Sequence, residues 1–374
     1  MAYTVLARRY RSRDFDEVVG QEPIARTLKN AIEAERVAHA YLFCGTRGVG
    51  KTSMARIFAK ALNGGSEEVD KAIMTGGDTD VVEIDGASNN RVEEARDLIA
   101  NSVYRPMRGP YKIYIIDEVH MLSTAAFNAL LKTMEEPPEH VKFILCTTEA
   151  HKVPATIQSR CQRFDFRNIP ASRIGEHLRE VVEKEGLEAE PDLIHAVARL
   201  GNGSMRDALS LLDRLMAAGE KILTRSLLET LLGLPDRDLV SSLIDACATG
   251  EPAQALEAGD ALLRRGSAPE QALESLLDRL RDLMVLAACG PQTSLVELTD
   301  EQREQEAGRA QHFDAAGLMH MIALTESVQR NLKHSVAPRA LYDALLVRLA
   351  MTEHVADAAA LVRELSGGVS AGKG

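Results

Sequence analysis

Gly45-Thr46-Arg47-Gly48-Val49-Gly50-Lys51-Thr52, followed by Ser53, is the stretch on which the reading of this chain turns. A short apolar run, Tyr41-Leu42-Phe43-Cys44, precedes it, and a helical pattern from Ser53 to Leu62 follows. Gly45, Gly48 and Gly50 reach backbone angles closed to other residues, so the loop can turn its N–H groups toward one anion. A helix opening at Lys51 or Thr52 adds the positive end of its dipole. In that frame Lys51 reaches the outer phosphates of a nucleotide and the Thr52 hydroxyl ligates Mg²⁺. The plainer reading, a glycine-rich turn between strand and helix, leaves unexplained why every fixed position of the motif is filled.

A metal held by one hydroxyl needs an acid from elsewhere. Tyr111 to Ile116 is a mostly apolar run, bounded by a Gly109-Pro110 turn and ending in Asp117-Glu118. An apolar run that short reads as a buried parallel strand. Ligand groups of such sheets gather at the carboxyl ends of strands. Asp117 is therefore expected near the metal, with Glu118 polarising the attacking water. Two carboxylates after a strand are common on surfaces; their pairing with the loop at 45–52 is what gives them this role.

The remaining pattern places these pieces in a larger frame. Strands are expected at 41–44, 81–84, 111–116, 141–146 and 162–166, and helices at 23–34, 89–101, 124–135 and 154–160. Alternating strands and helices make a parallel sheet, here an α/β fold with five strands. Residues 63–79 read as a polar excursion with one helical turn or two. After residue 167 the strand signals stop. Three helices (171–186, 190–200, 204–218) are expected, the last opened by a capping box at Ser204-Met205-Arg206-Asp207. From Thr224 to Glu364 the chain is helical, with breaks at 233–235, 250, 266, 290–291 and 334–338. Ser366–Gly374 is Gly-rich and reads as a flexible tail. Residues 4–13 carry Arg8, Arg9, Arg11 and Arg13 with no acid among them, which composition alone also allows as a solvated basic tail.

Composition narrows the classes. The chain has 374 residues, enough for two or three domains, and 45% hydrophobic content supports real cores. No apolar run approaches the roughly 20 residues of a membrane span. The opening Met1 to Arg9 has the wrong charge order for a secretion signal. Cys44, Cys146, Cys161, Cys247 and Cys289 show neither pairing nor metal spacing, which favours reduced thiols in a cytoplasmic protein. A net charge of −11 argues against nucleic-acid binding over the whole surface, while leaving room for a local basic patch.

Five stretches together resemble a known family: Gly45–Ser53, Glu83–Arg91 (Glu-Ile-Asp-Gly-Ala-Ser-Asn-Asn-Arg), Ile116–Ser123 (Ile-Asp-Glu-Val-His-Met-Leu-Ser), Asn128–His140 and Ser159-Arg160-Cys161. They are similar to the gamma/tau subunits of bacterial DNA polymerase III, the AAA+ ATPase motors of the sliding-clamp loader. The resemblance is strongest over residues 3–220. It implies an AAA+ domain at 1–168, a helical lid at 169–222, and an all-helical oligomerisation collar at 223–365, followed by the tail at 366–374.

For the site, the resemblance implies ATP and Mg²⁺ on Gly45, Thr46, Arg47, Gly48, Val49, Gly50, Lys51, Thr52 and Ser53. Asp117 and Glu118 become the acid pair, and Arg11, Val18 and Val19 cradle the adenine. Ser12 stands where a proline is common. Thr148 resembles the sensor that positions water near the γ-phosphate, and Arg206 the second sensor, on the lid. Arg160 looks like an arginine finger reaching a neighbour's ATP; read without the family it is an ordinary helix-end arginine. Arg91, Arg96 and Lys132 lie where family members approach the template backbone. The implied partners are the delta and delta-prime subunits, the sliding clamp and primed DNA, in a hetero-pentameric ring.

One departure stands out. Family members usually carry a four-cysteine zinc module after the phosphate-loop helix, whereas residues 63–80 contain no Cys and no His. No zinc is expected, because thiolates are what such a site needs. The alternatives are another AAA+ DNA-dependent ATPase, such as a branched-DNA motor or a clamp-loader small subunit of another type, and a scaffold that binds nucleotide without hydrolysing it.

Overall fold

The computed structural model describes residues 4–88, 104–293, 295–296 and 298–351. The expected helix at 89–101, with Arg91 and Arg96, and the tail at 366–374 lie outside the described residues, as does the end of the helical region beyond 351. The chain divides into two compact units, Met1–Ile222 and Leu223–Gly374.

The first unit is built on strands β1 (Ala40–Cys44), β2 (Val81–Asp85), β3 (Lys112–Asp117), β4 (Val141–Thr147) and β5 (Gln162–Asp165). They form one parallel sheet in the order β2-β3-β4-β1-β5. Every residue of β1 and β4 is buried, as their mostly apolar runs require of central strands, with Lys142 the one charged residue in them. The edge strand β5 is mostly exposed and reads polar. Alternate residues serve opposite faces. Leu42, Ile116, Phe143 and Leu145 meet Phe127 and Leu130 of a helix at Thr124–Glu135 on one face. Tyr41, Phe43, Ile115 and Ile144 meet Met54 and Phe58 on the other. The register Cys44↔Thr147 and Asp85↔Asp117 brings the carboxyl ends of the strands level.

Helices in this unit are α1 (Leu6–Arg9), α2 (Glu22–Glu33), α3 (Lys51–Asn63), α4 (Glu67–Thr75), α5 (Thr124–Glu135) and α6 (Ala155–Gln158). Three further helices form the lid: α7 (Ala171–Lys184), α8 (Pro191–Leu200) and α9 (Met205–Met216). α4 has nine residues, slightly more than the turn or two expected of 63–79. Ser66 accepts a hydrogen bond from the Val69 N–H to start it, and Gly76 in the left-handed region ends it.

Only half of the expected capping box at α9 forms. The Ser204 hydroxyl accepts from the Asp207 N–H, but the Ser204 N–H donates to the Gly201 carbonyl. The basic N-terminal stretch is not a solvated tail. Leu6 is fully buried and its N–H donates to Asp213 of α9, while Arg9 and Tyr10 both hold Glu185 at the end of α7. This clamps the start of the chain onto the lid.

The second unit, as far as it is described, has helices α10 (Arg225–Leu232), α11 (Arg237–Ala248), α12 (Pro252–Arg264), α13 (Pro269–Cys289), α14 (Asp300–Ala310), α15 (Ala315–Leu332) and α16 (Pro338–Ala350). Their breaks fall where glycine and proline predict them, with one addition at 311–314. There the Asp314 carboxylate accepts from the Gly317 N–H and starts α15 as a cap. A side chain at Gly259 would collide with Leu346, so α12 and α16 approach closely.

Candidate active site

The loop between β1 and α3 is shaped by what glycine permits. Gly50 caps α3 with φ of 100°, in the left-handed region. Gly48 has φ of 78°, and a Cβ there would lie 1.9 Å from the Ser204 hydroxyl at the start of the lid helix α9. The loop therefore has the lid directly on it. Lys51 is 6% exposed, and its ammonium donates to the carbonyls of Gly45 (2.9 Å) and Thr46 (2.8 Å). Burial pushes its pKa down, against the pull of Asp117 and Glu118. These two carbonyls are neutral partners for a buried cation, a donor that an anion would satisfy better.

The two acids lie at the end of β3, beside the loop. The Thr52 hydroxyl donates to Asp117 Oδ2 at 2.7 Å. Asp117 Oδ1 in turn accepts from the Glu118 N–H at 3.0 Å. Glu118 itself sits at φ 44° and ψ 47°, uncommon for a residue with a side chain and a mark of imposed geometry. Its Oε2 accepts from the N–H (3.3 Å) and the hydroxyl (3.0 Å) of Thr148. The strand ends β3 and β4 thus bring Glu118 and Thr148 into direct contact.

A cavity of about 680 Å³ opens beside this loop, within the first unit. Residues 47–53 line it, with Arg11, Val18, Val19, Asp117, Glu118 and Arg206. Arg11 is fixed by donating from Nε to the Ser53 hydroxyl at 2.8 Å, and burial lowers its pKa. Ser12 does lack the ring of a proline, but its hydroxyl donates to the Glu17 carbonyl and closes the turn another way. Sequence reasoning missed Tyr10, Ile169, His177, Met205 and Leu209, which also line the cavity. His177 lies between Ile174 and Leu178 of α7, among the apolar positions of the lid, so its spacing reads as core. Burial lowers its pKa, which keeps the imidazole neutral near pH 7.

Arg160 is elsewhere. It does not line the cavity; it follows α6, where it donates to the Thr156 carbonyl at 2.6 Å and pairs with Glu135 at 2.5 Å. Both members of that pair are partly exposed. Lys132 is exposed in the last turn of α5, also away from the cavity. Among the described residues, no cluster of three or more His, Cys, Asp or Glu is arranged to hold a metal. None of the described helices is long and apolar enough to cross a membrane.

The residues present fit a nucleotide with Mg²⁺. A loop that no Cβ could share with the lid, a buried lysine with only carbonyl partners, and a hydroxyl–carboxylate pair supply the donor set such a ligand needs. With the strand order and the three-helix lid, they define a P-loop nucleotide-binding module of the AAA+ kind.

Comparison with known proteins narrows the class. Residues 20–170 match the family described as "DNA polymerase III, delta subunit". Residues 173–221 match "DNA polymerase III clamp loader subunit, ATPase lid domain", and 223–365 match "DNA polymerase III subunits gamma and tau domain III". The chain is 40% identical over 364 residues to DNA polymerase III subunit tau of Bacillus subtilis, covering 95% of this chain and 64% of that protein. It is 42% identical over 313 residues to the tau subunit of Escherichia coli, covering 80% and 48%. Against subunit gamma of Buchnera aphidicola it is 39% identical over 250 residues, covering 63% and 68%. The chain belongs to the gamma/tau family of bacterial DNA polymerase III subunits, and it spans about half to two thirds of the length of these relatives. A branched-DNA motor is not favoured by them. Among solved structures, the RuvB Holliday junction motor of Thermotoga maritima is 20% identical with a TM-score of 0.47, over 63% of this chain and 78% of that one.

Proposed function

We propose that this chain is the ATP-hydrolysing motor subunit of a clamp loader, opening a sliding clamp and loading it onto primed DNA during replication. The observation that carries the reading is the row Lys51, Thr52, Asp117 and Glu118 along the cavity, with Thr148 behind Glu118. ATP bound there with Mg²⁺ supplies the bond to be broken and the negative charge that the chain's cations meet. Lys51 would exchange its loop carbonyls for phosphate oxygens. Thr52 and Asp117 would hold the metal and Glu118 would orient water, with Thr148 as the first sensor. Arg206 contributes from the lid as second sensor, and Arg11, Val18 and Val19 bound the adenine side.

Arg160 does not line its own chain's cavity, so this role requires a neighbouring subunit. An arginine supplied in trans raises rates by about 10³–10⁵ in well-studied nucleotide hydrolases. We assign residues 1–168 to the nucleotide-binding domain, 169–222 to the lid and 223–365 to an oligomerisation collar. The partners in this reading are delta and delta-prime subunits, the clamp and primed DNA, in a cytoplasmic ring of five. Lys132, with Arg91 and Arg96, is the basic set assigned to the DNA backbone. Polymerisation belongs to the assembly this subunit serves; the chain's own chemistry is hydrolysis, without zinc.

Steady-state ATP turnover, with and without the other loader subunits, clamp and primed DNA, tests the proposal. Strong stimulation needing clamp and primed DNA together is expected. Turnover that responds instead to branched DNA would contradict the role, and absence of phosphate release under any condition would favour a scaffold.

A further inference from the structure

The sequence reading gave no role to His120, which follows the acid pair in the short turn Val119–Met121. Its side chain is only 6% exposed. Nδ1 lies 3.4 Å from Glu118 Oε2 and 3.0 Å from the hydroxyl of Thr147, which is fully buried. Nε2 lies 3.6 Å from Glu149 Oε1. The Glu149 N–H donates to the same Thr147 hydroxyl, and its carboxylate pairs with Lys152 at 2.6 Å. The imidazole therefore stands between two carboxylates on different segments. An ionised carboxylate only accepts, so each ring nitrogen offers its proton to a different carboxylate according to the tautomer.

Resting on the reading of Glu118 as the group that orients water, we propose that His120 is a positioning residue for it. The Glu118 side chain leaves a strained backbone position, and its Oε2 accepts twice from Thr148 and lies 3.4 Å from His120 Nδ1. Together they fix the plane of the carboxylate and leave Oε1 for a water. His120 also ties that carboxylate to Glu149, which opens the turn leading through Lys152 into α6 and Arg160. A shift of the Arg160 element against a neighbour is thereby passed to the water-orienting group through one imidazole. A misplacement of about 1 Å at such a group can cost on the order of 100-fold in rate.

The test uses the full chain assembled with its loader partners, clamp and primed DNA. His120→Ala is expected to lower kcat by about tenfold or more, with the Kd of a fluorescent ATP analogue unchanged. His120→Asn keeps an N–H at the Nδ1 position and is expected to restore most of the turnover; His120→Gln, whose amide reaches toward the Nε2 position, is not. Independently of activity, the Nδ1 resonance of labelled His120 should move on Glu118→Gln. Unchanged kcat in His120→Ala would overturn the proposal. So would equal losses in the Ala and Asn variants with weakened nucleotide binding, the sign of a merely structural residue. Wild-type turnover in Glu118→Gln would instead overturn the reading of Glu118 itself, and the proposal with it.

Discussion

The nucleotide cavity and the Arg160 corner lie in the same compact unit, yet they are finished to different degrees. In the cavity three functional groups already have a partner inside the chain: Thr52 on Asp117, Glu118 on Thr148, Arg11 on Ser53. Lys51 is buried and Arg11 half-buried, and desolvation lowers the pKa of both. At the corner, Arg160 rests on one exposed carboxylate and one carbonyl. A buried site must satisfy its charges before ligand arrives, because an unpaired buried charge is expensive. An exposed arginine has water to fall back on and can leave its partner at little cost. The first arrangement suits a ligand that enters; the second suits a surface that another molecule completes.

The largest expected effects come from breaking the finished site. Lys51→Ala removes the cation assigned to phosphate, and Glu118→Gln the carboxylate assigned to water. Each is expected to cut turnover by about 10³-fold or more, and Glu118→Gln alone should keep nucleotide affinity. Single-turnover phosphate release and equilibrium binding separate the two. A fully active variant of either kind would remove the site assignment.

A loss of similar size, about 10³-fold, is expected from Arg160→Ala, but with nucleotide affinity unchanged. The contrast between Lys51→Ala and Arg160→Ala in a binding titration is the sharpest form of the comparison. If Arg160→Ala weakened binding as much as Lys51→Ala, the corner would belong to the chain's own cavity.

A moderate effect on stability is expected where the lid meets the loop. Gly48→Ala places a side chain at φ 78° and against the Ser204 hydroxyl. The backbone alone costs roughly 1–2 kcal/mol. Thermal unfolding should show the loss, and nucleotide affinity should fall with it as the lid is displaced. Normal affinity would mean that the lid moves away without consequence.

Asp80 gives a pH-dependent counterpart away from both regions. Burial raises its pKa, but the N–H groups of Met107, Arg108 and Gly109 outweigh that and hold the carboxyl below its usual range. A depressed carboxylate stabilises the fold at pH above its unfolded value, near 3.9, and the benefit disappears as pH falls through the folded value. Asp80→Asn should therefore be less stable than wild type near pH 7, with the gap closing below about pH 4. Chemical denaturation at several pH values checks this.

The smallest effect belongs to Glu135→Gln. The exposed pair it breaks is worth about 0–1 kcal/mol, so stability and basal turnover should barely change.

What the sequence revealed follows the same division. The loop at 45–52 and the acids at 117–118 are legible because phosphate chemistry fixes residue types at fixed spacing. The central strands are legible because buried parallel strands leave apolar runs, as in Ala40–Cys44 and Ile113–Ile116. The cap at Asp314 was missed because the surrounding helical pattern of Asp300–Leu332 masks a short break. Tyr10, His177 and Leu209 were missed for another reason. They reach the cavity only once α1, α7 and α9 have packed together, and nothing in their local spacing distinguishes them from core. The second unit shows the limit of this approach. Its heptad-like apolar faces specify packing, as in Leu273, Leu276, Leu280 and Leu283 of α13, and carry no chemistry to read.

The most direct test is to mix two inactive chains. Glu118→Gln has an intact Arg160 and a dead site; Arg160→Ala has an intact site and no finger. Assembled together with loader partners, clamp and primed DNA, they should regain a substantial part of wild-type turnover, because one chain's arginine completes the other's cavity. Two variants that stay inactive when mixed, while co-assembly is demonstrated, would contradict a site shared between neighbouring subunits.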